Sequence, residues 1–302
     1  MVIVVALGGN ALVSRSRGFE DQYQTIYQTM GKISTIIKEG YNLVITHGNG
    51  PQVGDELLRN EIAKDFIPQL PLFACVAETQ GLLGFMIQSA LSNLASSNKI
   101  ISLISRVRVS SKDPAFKNPT KPIGPFYSKE EMLNILKNNP DIKFIKIDDK
   151  YRRVVPSPDP IEILEIDSIK MLLKNGFTVI TVGGGGIPIA DNKFVDAVVD
   201  KGLASERLAT AINASRFVIL TNVPGVYLNY ASKDRVLLKE VSVNELEVYL
   251  KEGEFGKGSM EPKVIAAIRF VKNTGNDAII ADIENAIDAI KGDAGTKVKT
   301  NI

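Results

Sequence analysis

Three lysines stand in loop contexts unusual for solvated surface charge and open to phosphoryl chemistry, although by composition any one of them reads first as a surface charge. Lys121 lies between Pro119-Thr120 and Pro122-Ile123-Gly124, where the prolines stiffen the backbone. Lys201 sits in Asp200-Lys201-Gly202, just before a helical pattern over 203–211. Lys263 follows Gly258-Ser259-Met260-Glu261-Pro262, at the start of a helix whose N-terminus can face a phosphate. Phosphoryl transfer asks the protein for little covalent chemistry. It needs cations on the developing charge and a fixed in-line geometry. Three glycine-bearing segments follow apolar runs: Gly8-Gly9-Asn10, His47-Gly48-Asn49-Gly50-Pro51 and Gly183-Gly184-Gly185-Gly186. Glycine lets backbone N–H groups crowd around an anion, and asparagine adds an amide donor. Any one such segment reads equally as a tight turn. Three on one sheet edge point to a ligand. The phosphate loop G-x-x-x-x-G-K-[ST], a strand-following G-x-G-x-x-G and the protein-kinase signature are all absent.

The rare residues narrow the chemistry. The 302 residues include one His (His47), one Cys (Cys75) and no Trp. One cysteine forbids an internal disulfide and fits a reducing, cytoplasmic setting. Zinc sites built from several His or Cys ligands are excluded, and any Ser-His-Asp or Cys-His enzyme would have to use His47. His47 reads as a strand-end residue bonded to backbone, with a general base as the alternative. Cys75 reads as a small buried hydrophobe. Lys plus Arg is 36 and Asp plus Glu is 34, a net charge of +2, which gives no footprint for nucleic acid or an anionic membrane. No apolar run approaches the ~20 residues of a membrane span. The apolar opening, residues 1–7, lacks a basic segment ahead of it and reads as a buried strand rather than a signal peptide.

Elements that must position these residues follow from the apolar pattern. Strands are expected at 2–7, 43–46, 100–104, 179–182, 217–221 and 278–281, without polar alternation and so covered on both faces. Helices are expected at 20–39, 72–95, 161–174, 260–272 and 284–291. The fold class is α/β: an open, mostly parallel central sheet with helices on both faces. Residues 113–160 break the rhythm. They hold eight of the 14 prolines, a capping box at Ser128-Lys129-Glu130-Glu131, and a hairpin of 143–147 with 151–155. They read as a small protruding subdomain.

These residues carry a family resemblance. Ala6-Leu7-Gly8-Gly9-Asn10-Ala11-Leu12, Thr46-His47-Gly48-Asn49-Gly50-Pro51-Gln52-Val53-Gly54, Asp113-Pro114-Ala115-Phe116, Pro119-Thr120-Lys121-Pro122-Ile123-Gly124-Pro125, Arg152-Arg153-Val154-Val155-Pro156-Ser157-Pro158 and Pro262-Lys263 resemble the carbamate kinases, a branch of the amino-acid kinase fold. The resemblance runs from the first strand to the C-terminus. It implies transfer of a phosphoryl group between ATP and carbamate, giving ADP and carbamoyl phosphate with Mg²⁺, in a homodimer. It also implies two lobes: residues 1–213 for carbamate or carbamoyl phosphate, with the subdomain inserted at about 113–160, and residues 214–302 for nucleotide. Residue by residue, it implies that Gly8, Gly9 and Asn10 hold the transferring phosphate and that Gly48, Asn49 and Gly50 hold the carbamate group. Lys121, Lys201 and Lys263 would carry catalysis, and Thr221, Tyr227, Gly258, Ser259 and Met260 would line the nucleotide pocket.

One position departs from the pattern. The family reads Asp-Lys-Asp-x-Ala-Ser where this chain reads Asp200-Lys201-Gly202-Leu203-Ala204-Ser205. Loss of the second carboxylate implies less well neutralised lysines and slower turnover, with Asp200 left as the neighbouring carboxylate. Two other readings stay open at this stage. One is a relative acting on another acyl or nucleoside monophosphate acceptor. The other is a nucleotide-binding regulator with impaired catalysis.

Overall fold

The computed structural model describes residues 1–8, 12, 18–95, 99–256 and 258–301. Gly9 and Asn10, both expected at the phosphate, lie outside the described residues. Eight strands form the central sheet, in the order Glu240–Ser242, Thr296–Lys299, Ala278–Asp282, Arg216–Thr221, Val2–Leu7, Asn42–His47, Phe177–Ile180, Lys99–Ser102. The last six run parallel to one another, and Thr296–Lys299 pairs antiparallel to Ala278–Asp282. The expected α/β class with a mostly parallel sheet is what the chain adopts.

Both faces of the sheet are covered, which is why its strands carry no polar alternation. Along the first strand Ile3, Val5 and Leu7 pack under the helices Phe19–Lys38 and Leu72–Leu94. Val4 and Ala6 face the other way, toward Lys201–Ala211 and Glu261–Thr274. The aromatic pair Phe217 and Phe270 sits in that second layer with ring centroids 5.5 Å apart. Because the six strands are parallel, their carboxyl ends share one edge, where an open α/β sheet binds ligands.

The insertion is present as expected. Lys121–Tyr127, Lys143–Ile147 and Lys150–Val155 make a three-stranded sheet, and Ser128 with Glu131 forms the capping box of the helix Lys129–Asn138. Its two ends are tied together, since the Asp159 amide donates to Asp113 Oδ2 at 3.0 Å.

Three expectations need adjustment. The stretch 161–174 is not one helix: Pro160–Ile163 is a strand, and the helix starts at Ile166. Pro160 and Ile163 are buried there while Ile161 and Glu162 are exposed, a spacing of three that the sequence pattern does not separate from the first turn of a helix. The strand expected at 179–182 ends at Ile180, and Val182 adopts a left-handed conformation (φ 53°) that stops it. The strand expected at 100–104 is Lys99–Ser102. A second sheet of four short strands, Lys193–Phe194, Ile187–Ala190, Arg106–Val109 and Pro160–Ile163, was not expected at all.

Candidate active site

The carboxyl ends of the strands open into a cleft of about 340 Å³. Gly8, Gly48, Asn49, Gly50, Lys121, Lys201, Thr221, Gly258, Ser259 and Lys263 all line it. A second cavity of about 290 Å³ adjoins it, sharing Thr221, Asn222, Ser259 and Lys263 and adding Tyr227, Tyr230, Phe255 and Met260. Every described residue expected at the site therefore lines one cavity or the other.

Each lysine arrives on a different element. Lys121 begins the first strand of the inserted subdomain, and its ammonium lies 3.0 Å from Asp200 Oδ2. Lys201 is the first residue of the helix Lys201–Ala211, for which Asp200 is the N-cap: Oδ1 accepts from the amides of Gly202 (2.8 Å) and Leu203 (3.3 Å). Lys201 Nζ crosses to the sheet and donates to the Leu7 carbonyl at 2.6 Å. Lys263, in the first turn of Glu261–Thr274, donates to the Ser259 carbonyl at 2.5 Å. The Lys201 helix is seated on the sheet by Ser205, whose hydroxyl lies 2.6 Å from that of buried Thr46.

The electrostatics follow from this crowding. Burial lowers Lys201 to about 8; Asp200 opposes the shift, while Lys263 and Lys121 add to it. Burial also lowers Lys263, again against Asp200 and with Lys121. Burial works against ionisation of Asp200, but the Lys121 charge, the hydrogen bond it donates and Lys201 outweigh it and hold the carboxyl below its usual range.

The glycines do different jobs. The Gly8 amide already donates to the Leu220 carbonyl at 2.9 Å, so Gly8 contributes clearance rather than a free donor. A Cβ there would sit 2.8 Å from that same oxygen. At the second segment, Asn49 is the N-cap residue of Gly50–Ala63 but no side chain caps that helix. The Asn49 amide instead donates to Thr79 Oγ1 at 2.9 Å. The first N–H groups of a 14-residue helix thus start at the cleft without a side-chain cap, an arrangement suited to an anion. Of the third segment, Gly184 lines the cleft. Gly183 lies against His47, where a Cβ would come within 2.6 Å of the imidazole.

His47 itself is not at the cleft surface. It is buried, its Nδ1 lies 3.1 Å from the Gly48 carbonyl, and burial lowers it to about 4. The lowering keeps it neutral at physiological pH, and its ring packs against Gly183 behind the cleft. Asp200 is the one carboxylate lining the cleft among the described residues. Its oxygens are engaged by Lys121 and by helix amides, and no cluster of three His, Cys, Asp or Glu side chains that could hold a metal exists among the described residues. The described residues do not form a protein cage for Mg²⁺. Such an ion fits as part of a metal–nucleotide substrate, held by phosphate oxygens and water.

A parallel sheet with helix N-termini, bare glycines and three ammonium groups at its carboxyl edge defines a protein of the phosphate-handling α/β class. Residues 1–282 match the model of the amino acid kinase family, and the chain belongs to that family. It is 45% identical to the carbamate kinase of Trichomonas vaginalis over 315 residues, covering 100% of both chains. It is 47% identical to the carbamate kinase of Thermoplasma acidophilum over 304 residues, covering 97% of this chain and 98% of the relative. Among solved structures it superposes on carbamate kinase from Giardia lamblia bound to AMP-PNP with a TM-score of 0.92, at 38% identity, over 99% of this chain and 98% of that one.

Proposed function

We propose that this chain is a carbamate kinase, moving a phosphoryl group reversibly between ATP, taken as its Mg²⁺ complex, and carbamate, with ADP and carbamoyl phosphate as the other pair. The observation that carries the reading is the convergence of Lys121, Lys201 and Lys263 from three separate elements on one cleft. The relatives that are 45% and 47% identical over nearly their whole length bear that name.

In this reading the substrate carbamoyl group sits at Gly48, Asn49 and Gly50, against the uncapped helix start. The transferring phosphoryl group lies between it and the nucleotide, beside Gly8. The nucleotide occupies the adjoining cavity with Thr221, Tyr227, Gly258, Ser259 and Met260. Charge builds on the equatorial and leaving oxygens during transfer, and the three ammonium groups stabilise it without needing a proton donor. No general base is required, which agrees with a neutral, buried His47. Residues 1–213 and 214–302 serve the two substrates as lobes sharing one continuous sheet, since Arg216–Thr221 pairs with Val2–Leu7. A homodimer and a cytoplasmic location belong to the same proposal. No helix among the described residues is long and apolar enough to cross a membrane.

The test is a donor panel. ADP phosphorylation by carbamoyl phosphate should far exceed that by acetyl phosphate. Equal rates, or a preference for acetyl phosphate, would favour a different acceptor class.

A further inference from the structure

We infer that Asp200 is the positioning residue of the lysine cluster in this chain, and that Gly202 leaves it the room to be so. The inference rests on the phosphoryl-transfer reading in one respect only: that reading gives the gathered ammonium groups a common anionic target.

The two oxygens of Asp200 have separate tasks. Oδ1 caps the helix that starts at Lys201, fixing the turn from which Lys201 reaches the Leu7 carbonyl. Oδ2 holds the Lys121 ammonium at 3.0 Å, and Lys121 belongs to the inserted subdomain, 79 positions earlier in the chain. One carboxylate thereby sets the subdomain's cation and the body's cation relative to each other. Gly202 is part of the arrangement. A Cβ at that position would lie 3.1 Å from Asp200 Oδ1, with Pro262 O and Ala266 Cβ behind it at 3.8 and 3.9 Å. A side chain at 202 would need the carboxylate to shift by a few tenths of an ångström; glycine leaves it folded back over its own helix.

Charge makes the same point. The cleft brings together three ammonium groups and one carboxylate among its described lining residues. Their repulsion rises steeply in a partly desolvated site, and Asp200 is the group that offsets it while leaving a net positive charge for phosphates. The groups facing Lys201 are Asp200, Lys263 and Lys121, with His47 nearby and neutral. Slow turnover was expected on the premise that losing the carboxylate at 202 leaves the lysines poorly neutralised. Asp200 supplies a carboxylate from two positions earlier, at the N-cap.

Asp200→Asn tests this, because asparagine keeps a side-chain oxygen for the helix cap and removes only the charge. Two readouts are needed. The first is the pH dependence of Lys201 acetylation in the ligand-free protein, read by mass spectrometry, which requires no turnover. The second is the kcat for ADP with carbamoyl phosphate. Lys201 should titrate at lower pH in Asp200→Asn than in the wild type, and at higher pH in Lys121→Met, where a neighbouring cation is gone. The kcat of Asp200→Asn should fall by on the order of 10²-fold, the scale of a mispositioned group. Adding Gly202→Asp to Asp200→Asn should recover part of both. An unchanged Lys201 titration in both single variants overturns the inference, as does a tenfold or greater gain in kcat from Gly202→Asp alone. A wild type inert toward carbamoyl phosphate overturns the proposed function instead, and the acetylation profiles still decide the role of Asp200.

Discussion

Lys201 Nζ donates to the Leu7 carbonyl oxygen at 2.6 Å, joining a helix N-terminus to the carboxyl end of a strand 194 positions earlier. The bond holds an ammonium group in a partly desolvated cleft, where burial lowers it to about 8. Catalysis needs the charged form, so activity is present below that pH and lost as pH rises through it. The kcat/KM profile, which reports the free enzyme, should fall above about pH 8. Lys201→Arg should remove that limb, because guanidinium stays protonated, at a lower plateau. A flat profile to pH 10 in the wild type would separate Lys201 from the reaction.

Each lysine is expected to act on the transition state more than on binding. Lys121→Met, Lys201→Met and Lys263→Met should each lower kcat by roughly 10²- to 10³-fold, the range for removing one preorganised donor to a developing anion. Steady-state kinetics with folded variants, checked by circular dichroism, gives the measurement. A variant that raises KM alone would mark its lysine as a binding group.

The contact between His47 and Gly183 sets a stability expectation. A Cβ at 183 would meet the imidazole at 2.6 Å and Gln80 at 3.0 Å, and none of the three can move freely in this buried layer. Gly183→Ala should cost about 1–3 kcal/mol by overpacking, seen as a lower urea midpoint. The same buried histidine, lowered to about 4, should leave the kcat/KM profile without an inflection between pH 5 and 7.

Glu206 offers a pH test away from the cleft. Its carboxyl is buried, with Oε1 accepting from Thr210 Oγ1 at 2.7 Å and from Asn273, while Oε2 has no hydrogen-bond partner. Burial raises it above the ordinary carboxylate range, against Thr210, Arg207, Asn273 and Arg269. The folded state therefore binds this proton more tightly than the unfolded state. The associated stability is present at low pH and lost as pH climbs from the ordinary carboxylate value through the raised one. Urea denaturation across pH 4 to 8 should show a smaller loss in Glu206→Gln than in the wild type.

The adjoining cavity should answer to nucleotide alone. Tyr227 lines it, 5.9 Å from Tyr230 and with Arg235 over its ring at 5.6 Å. Tyr227→Ala should raise KM for ADP by a few-fold to about tenfold, the worth of one aromatic contact, and leave KM for carbamoyl phosphate unchanged. Measuring both constants separates the two halves of the site.

Much of this fold was legible because its central strands are buried on both faces. Val2–Leu7, Arg216–Thr221 and Ala278–Asp282 are nearly continuous apolar runs of strand length, the pattern of a strand covered on both faces. The edge strands Glu240–Ser242 and Lys193–Phe194 carry no such signal: they are two or three residues long, and of the five residues only Val241 is buried. The helix Gly50–Ala63 was equally silent, since only Val53 and Gly54 are buried along it, and what matters is its N-terminus. Within the site, proline- and glycine-framed lysines stood out locally. The Lys121–Asp200 pair did not, because it joins residues that only the inserted subdomain's placement brings together. Nor could sequence show that the Gly8 amide is spent on Leu220, a cross-strand partner.

The central claim is that three ammonium groups surround the path of a phosphoryl group. A crystal structure with ADP, Mg²⁺ and aluminium fluoride, which mimics the transferring group, tests it most directly. The expected result is a fluoride moiety in the cleft beside Gly8, within hydrogen-bonding reach of Lys121, Lys201 and Lys263. A fluoride moiety seated elsewhere, or contacted by none of the three lysines, would contradict the account.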